Sequence, residues 1–213
     1  KKKKISLIQN KALELSMFLS IPASVALVIG SEQIISALFG YGSFTENSVF
    51  NSSNALYYFG LGLPAFALIK VFSTFFFANH DTKTPFYISL VSVLLNILIS
   101  VYFFKDIGFI IIPIATTISS WFNSLILFVY LKNNNLFEFN ETFFKQFVKI
   151  IFASIIMGIF FQYLILLFEN QLSYAYFFKS AYLLLCVLFT IIFYFAVSYF
   201  IKAFNYQDIK LKY

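Results

Sequence analysis

The sequence predicts an all-α protein, a polytopic bundle of six transmembrane helices. Of its 213 residues, 61% are hydrophobic and only 11% are charged, and the mean hydropathy is +0.85. A soluble domain usually carries about 25% charged residues on its surface. The apolar residues also fall into long runs, and a helix needs about 20 apolar residues to cross a bilayer. Almost all lysines lie at the ends of these runs.

Six apolar runs are predicted to be transmembrane helices: 15–38, 54–78, 86–104, 107–131, 143–168 and 182–201. The first connection, 39–53, is rich in Gly, Ser and Asn, and the second is the polar turn 79–85. A tight turn is predicted at Lys105 and Asp106. The connections 132–142 and 169–181 precede the fifth and sixth helices. Every connection is too short to form a second domain.

The lysines are distributed unequally between the two sides of the predicted bundle. One side holds the N-terminus, the second and fourth connections and the C-terminal tail, with Lys1, Lys2, Lys3, Lys4, Lys11, Lys83, Lys132, Lys145, Lys149, Lys202, Lys210 and Lys212. The other side holds Lys105 and Lys179. Because lysine-rich loops stay on the cytoplasmic side, both termini are predicted to be cytoplasmic.

Four consecutive spans carry polar residues at helical spacing. Lys70 has Ser73 and Thr74 one turn further along the second span, so the three share a face. Asn96 and Asn123 lie in serine-containing stripes of the third and fourth spans. Such stripes often pack helices against each other. Their recurrence in neighbouring spans favours a shared hydrated cavity.

Lys70 lies inside the second predicted span, in an otherwise nearly apolar stretch. A lysine at a helix centre costs about 2.5–3.5 kcal/mol on insertion scales, so it is expected to face water, a counter-charge or a ligand. Lys70 lies about 12 Å from Ala78 at 1.5 Å per residue, and its side chain therefore has the alternative of extending to the cytoplasmic surface. We favour a lysine that faces a cavity.

Catalytic, metal and nucleic-acid chemistry are not predicted. Cys186 and His80 are single residues of their types, and paired carboxylates at one depth are missing from the spans. The net charge of +6 comes from lysines that flank the spans, and these form no basic groove interleaved with aromatic residues. We expect a protein that is not an enzyme, binds no cofactor and binds no nucleic acid.

Two segments resemble the MurJ/MviN family of bacterial lipid II flippases. Residues 21–45, IPASVALVIGSEQIISALFGYGSFT, are similar to a proline-containing helix of the family and its LF-x-x-G-x-F loop. Residues 60–96 contain an apolar helix with an internal lysine, the turn Asp81-Thr82-Lys83-Thr84-Pro85 and a helix with an asparagine, which resemble the family in order and spacing. The remaining spans match mainly in number, length and polarity.

The resemblance implies an architecture and a location. Family members have two lobes of helices around a central cationic cavity, followed by two additional helices that form a lipid-facing groove. Residues 1–132 would then be the C-terminal part of the second lobe, and residues 133–213 would be the groove helices with a short cytoplasmic tail. The chain begins without methionine, and we expect it to be a segment of a longer protein whose N-terminal lobe is its partner. The expected location is the bacterial inner membrane.

The resemblance also implies a substrate, lipid II, which is an undecaprenyl diphosphate that carries a disaccharide-pentapeptide. A diphosphate in a site of low dielectric needs cationic partners, and a lysine acts there as a point charge. Lys70 is the predicted partner of the diphosphate. Ser73, Thr74, Asn96 and Asn123 are the predicted neutral residues of the cavity. Alternating access would expose this site to each side of the membrane in turn.

Three other functions remain open from the residues alone. One is a different exporter of the same superfamily, either a polysaccharide-lipid flippase or a multidrug antiporter, although an antiporter should carry carboxylates in the middle of its spans. The second is a membrane scaffold subunit without transport activity, in which the polar stripes would be dry helix contacts. The third, a membrane glycosyltransferase, is disfavoured because the loops carry no acidic metal-binding cluster.

Overall fold

The computed structural model describes residues 2–203, which form eight α-helices with short connections. Their bounds are α1 Lys2–Ile29, α2 Ser31–Phe39, α3 Glu46–Ala78, α4 Lys83–Ile107, α5 Ile111–Asn133, α6 Glu141–Leu167, α7 Glu169–Leu172 and α8 Lys179–Ile201. A short 3-10 turn, Gly108–Ile110, joins α4 to α5. The prediction of an all-α membrane protein is confirmed, because five helical segments of this part of the chain are long and apolar enough to cross a membrane.

One of those five segments, Lys83–Asn133, contains both α4 and α5. The two helices are antiparallel, since Asn96 of α4 donates to Thr116 of α5 while Asn123 of α5 donates to Ser89 of α4. They have 25 and 23 residues, so each alone is long enough to span a bilayer. The described residues thus contain six long helices. Six membrane crossings and cytoplasmic termini stay predictions.

Several predicted boundaries were wrong because capping residues, rather than hydropathy, set the ends of helices. The predicted first span, 15–38, is interrupted at Gly30, and α1 begins well before it. The predicted connection 39–53 is helical from Glu46. The Thr45 hydroxyl accepts a hydrogen bond from the Ser48 amide and caps α3. Lys105 lies in the last turn of α4, not in a tight turn of its own.

Glycines permit close approach between helices at two positions. A Cβ atom on Gly30 would lie 2.6 Å from a ring carbon of Phe161 in α6. A Cβ atom on Gly158 in α6 would lie 2.7 Å from Val25 and 2.9 Å from Ile29 of α1. Real Cβ atoms essentially never come this close to other side chains, so the contact between α1 and α6 depends on these glycines.

The long helices pack as a row in the order α4, α5, α3, α1, α6, α8. Along the helix axes, one end of the bundle holds the connections 40–45, 108–110 and 168–178, and we call it the lysine-poor end. The opposite end, the lysine-rich end, holds the start of α1 and the connections 79–82 and 134–140. Asn96 and Asn123 lie in α4 and α5, at the opposite end of the row from α6 and α8.

At the lysine-rich end, α1 fixes the connection between α5 and α6. The Asn10 side chain donates to the Glu138 carbonyl at 2.8 Å and accepts the Asn140 amide at 3.0 Å. Beneath these bonds lies an aromatic cluster in which the rings of Phe75 and Phe137 stack 5.6 Å apart. These contacts join α1 and α3 to the connection that leads into α6.

Candidate functional site

Lys70 lies on the exposed face of α3. Within the described residues its ammonium forms no hydrogen bond or ion pair, and Phe66, Thr74 and Phe77 lie at helical spacing on the same face. Thr74 is exposed and its hydroxyl donates to the Lys70 carbonyl at 2.9 Å. Ser73 is half-buried beside them. This face therefore presents one cation and two hydroxyl groups to whatever covers α3.

Asn96 lies at the contact between α4 and α5. Its amide nitrogen donates to the hydroxyl oxygens of Thr116 at 3.0 Å and Ser119 at 3.3 Å. Ser100, one turn further along α4, donates to the Asn96 side-chain oxygen at 3.5 Å. The bonds from Asn96 to Thr116 and Ser119 cross between the two helices of one hairpin, so they hold α4 against α5.

Asn123 lies in the same hairpin, nearer the lysine-rich end. It is 7% exposed, and its amide nitrogen donates to the Ser89 hydroxyl at 3.4 Å. Its side-chain oxygen is buried and has no hydrogen-bond partner. A buried acceptor without a donor costs about 1–3 kcal/mol, so this oxygen is available to a water or a polar ligand.

The structure does not bring the five predicted site residues together. Thr117 donates to the Tyr58 carbonyl of α3, which places Asn96, bonded to Thr116, near the level of Tyr58. That level is about 18 Å along the helix axis from Lys70, at 1.5 Å per residue. Lys70, Ser73 and Thr74 form one group on α3, and Asn96 and Asn123 form a second group inside the α4–α5 hairpin.

Two apolar cavities adjoin α6, and one of them also adjoins α8. One has a volume of about 470 Å³ and lies between α1, α2, α6 and α8, with Pro22, Met157, Phe161, Val187 and Ile191 among its lining residues. Another, of about 390 Å³, lies between α1, α3, α5 and α6. Their linings are almost wholly apolar, so they offer a hydrocarbon chain surroundings like those of the bilayer core.

Lys179, which was predicted only to lie on the same side as Lys105, is a buried cation. It is 1% exposed at the start of α8, and its ammonium donates to the carbonyls of Gly40 at 2.7 Å and Tyr174 at 2.6 Å. The rings of Tyr41 and Tyr174 each lie 4.5 Å from the same nitrogen. A lysine just before an apolar run gives no sequence signal for such burial. Lys179 joins the 40–45 connection to α8.

Among the described residues, no group of three His, Cys, Asp or Glu side chains is placed to hold a metal ion.

At the lysine-rich end, hydrogen bonds from the Thr84 side chain and from the Thr84 and Lys83 amides hold the pKa of Asp81 below its usual value. The Asp81 carboxylate thus caps α4 at the turn that carries the D-T-K-T-P sequence.

Comparison with known proteins identifies the family. A family model described as "Lipid II flippase MurJ" matches residues 1–185. The probable lipid II flippase MurJ of Rickettsia prowazekii is 31% identical over 209 residues, which are 94% of this chain and 40% of the relative. That of Rhizobium meliloti is 39% identical over 124 residues, 58% of this chain and 23% of the relative.

A solved structure agrees with the sequence relatives. The lipid II flippase MurJ in an inward closed conformation superimposes with a TM-score of 0.75 and 27% identity, over 98% of this chain and 41% of that one. The chain spans at most about 40% of the length of these relatives. The resemblance seen in residues 21–45 and 60–96 is thus confirmed, and the chain belongs to the lipid II flippase MurJ family.

Proposed function

We propose that this chain is the C-terminal portion of a transporter that flips lipid II across the bacterial inner membrane. The observation that carries the proposal is the family match over residues 1–185, supported by a shared fold over 98% of the chain. The whole activity would require an N-terminal lobe, because the relatives are more than twice as long as this chain. The family is one of transporters and not of enzymes.

In this proposal the diphosphate of lipid II binds at Lys70. The exposed ammonium needs a partner in the membrane, and a diphosphate brings both negative charge and acceptor oxygens. Ser73 and the exposed Thr74 lie within one turn and offer hydroxyl groups to the same head group. A lobe that covers this face of α3 would exclude lipid and enclose a hydrated site.

Asn96 and Asn123 would act at a different stage of transport. Both amide groups are used by contacts between α4 and α5, so Asn96 would reach a substrate only if this hairpin moves. Asn123 still has a free side-chain oxygen. As the head group moves toward the lysine-poor end, it would pass from the level of Lys70 to the level of these asparagines.

The polyprenyl tail would occupy the apolar groove between α1, α2, α6 and α8. We place the boundary of the second lobe near residue 132, because α6 and α8 form the end of the row beyond α1. The groove is lined almost wholly by apolar side chains. A tail held there stays in a hydrocarbon environment while the head group crosses.

The test is lipid II translocation by the full-length protein in vesicles. We expect Lys70→Gln to reduce translocation at least tenfold, because the diphosphate loses its point charge. Lys105→Gln is the matched control, since Lys105 is exposed at the lysine-poor end and away from the proposed site. Equal activity of wild type and Lys70→Gln would overturn the role of Lys70, and failure of the wild type to translocate lipid II would overturn the function.

A further inference from the structure

A polar cavity of about 630 Å³ lies at the lysine-poor end, outside the site described above. It is formed by α2, the first turn of α3, the end of α6 and α7. Its polar lining includes Glu32, Ser36, Glu46, Asn47 and Glu169. The volume lies within the range of small-ligand pockets, about 300–1,000 Å³. Neither the diphosphate nor the polyprenyl tail uses this cavity in the proposed mechanism.

The charge of the cavity favours a cation. Glu32, Glu46 and Glu169 come from three different helices, and within the described part of the chain none of them forms an ion pair or a side-chain hydrogen bond. Lys179 contacts the wall residue Tyr174, yet its ammonium is bonded to carbonyl groups and buried. Three carboxylates around one opening attract positive charge from the membrane surface.

Ser36 gives an independent indication of a ligand. It lines the cavity and is 5% exposed, but its hydroxyl oxygen has no hydrogen-bond partner. A buried helical serine usually satisfies itself on the carbonyl four residues earlier, as Ser92 does at 2.9 Å and Ser154 does at 2.8 Å. An unsatisfied hydroxyl is costly, so the wall of the cavity offers one buried polar group that a ligand can satisfy.

The three carboxylates of the cavity do not meet at one point. Among the described residues, the acidic side chains do not converge in a group of three that could hold one ion. A cation in this cavity therefore pairs with one carboxylate at a time and must bring its own hydrogen-bond donors to reach other polar groups. A primary ammonium has three N–H donors, and a polar group next to it can reach Ser36.

We propose that this cavity binds a primary ammonium group at the membrane surface. The ammonium belongs either to an ethanolamine phospholipid headgroup or to a soluble amine. Apolar residues adjoin the carboxylates, with Phe50, Ile165 and Leu172 in the same lining and Phe50 60% exposed. This mixture of acidic and apolar surface matches the boundary between headgroups and acyl chains.

The experiment measures binding by the full-length protein in lipid nanodiscs, followed by native mass spectrometry. The lipid probes are phosphatidylethanolamine and phosphatidylcholine, whose quaternary ammonium has no N–H donor, and the soluble probe is ethanolamine added to phosphatidylcholine discs. The variants are the triple change Glu32→Gln, Glu46→Gln and Glu169→Gln, and separately Ser36→Ala. Glu138→Gln is the matched control, because Glu138 is exposed at the lysine-rich end.

We expect the wild type and Glu138→Gln to retain an ethanolamine-bearing probe at least tenfold better than phosphatidylcholine. The triple variant should lose this preference, and Ser36→Ala should weaken it about threefold. Preference for phosphatidylethanolamine without binding of ethanolamine assigns the ammonium to a lipid, and saturable binding of ethanolamine assigns it to a soluble amine. Equal retention of all probes, or a preference that survives the triple variant, overturns the proposal. These readouts do not depend on lipid II translocation.

Discussion

Replacing Lys179 with methionine removes a buried ammonium from the lysine-poor end. In the structure this group donates to the Gly40 and Tyr174 carbonyls at 2.7 and 2.6 Å and lies 4.5 Å from two tyrosine rings. Hydrogen bonds to charged groups contribute about 1.5–3 kcal/mol each. The relief of a buried charge offsets part of the loss. We expect a net decrease of about 2–4 kcal/mol in the free energy of unfolding.

The assay is unfolding of the purified protein in detergent, with wild type, Lys179→Met and Lys105→Met compared at matched concentrations. Lys105 is exposed at the same end, so its substitution should leave the unfolding transition in place. Hydrogen exchange should also rise at residues 40–45 in Lys179→Met, because the connection loses its link to α8. If Lys179→Met unfolds together with the wild type and Lys105→Met, the reasoning about this buried cation is wrong.

Three further predictions concern packing, capping and accessibility. Gly158→Val should destabilise the contact between α1 and α6 by about 1–3 kcal/mol through overpacking, because its Cβ would lie 2.7 Å from Val25. Unfolding in detergent measures this loss of stability. Ile159→Val is the control, since Ile159 is 68% exposed on the same helix. The Asp81 cap of α4 should be intact at neutral pH and weaken as the pH falls through the lowered pKa of Asp81, since a carboxylate stabilised in the folded state loses that stabilisation on protonation. Lower protection of the Lys83 and Thr84 amides in acid, measured as the exchange rate relative to the intrinsic rate at the same pH, would show it. Asp81→Ala should lower this protection at neutral pH as well. Cys186 is 0% exposed and should resist a water-soluble maleimide in the folded protein; labelling without denaturant would contradict its position.

The sequence predicted the approximate positions of the long helices because membrane helices require about 20 apolar residues. It misplaced their ends where capping or turn geometry decides the boundary. Thr45 extends α3 into a polar region, and Gly108, with φ of +76°, ends α4 after Lys105. Hydropathy reports which residues prefer lipid, and it does not report where the last helical hydrogen bond forms.

The candidate site was predictable only one helix at a time. Helical spacing correctly placed Lys70, Ser73 and Thr74 on neighbouring positions of α3. The register between α3 and the α4–α5 hairpin depends on contacts such as Trp121 with the Leu61 carbonyl at 3.1 Å, which no single stripe encodes. Lys179 was missed for a similar reason, because its carbonyl partners come from distant parts of the chain.

The central claim, that Lys70 faces an aqueous path for an anionic head group, is tested most directly by thiol labelling of the full-length protein. Lys70→Cys, in a background with Cys186→Ala, should react with a small water-soluble thiol reagent, and lipid II should protect it. Ile192→Cys is the matched control, since Ile192 is 65% exposed on the apolar helix α8 and should face lipid. If the cysteine at position 70 reacts no faster than the one at position 192 and lipid II has no effect on it, Lys70 does not line the transport path.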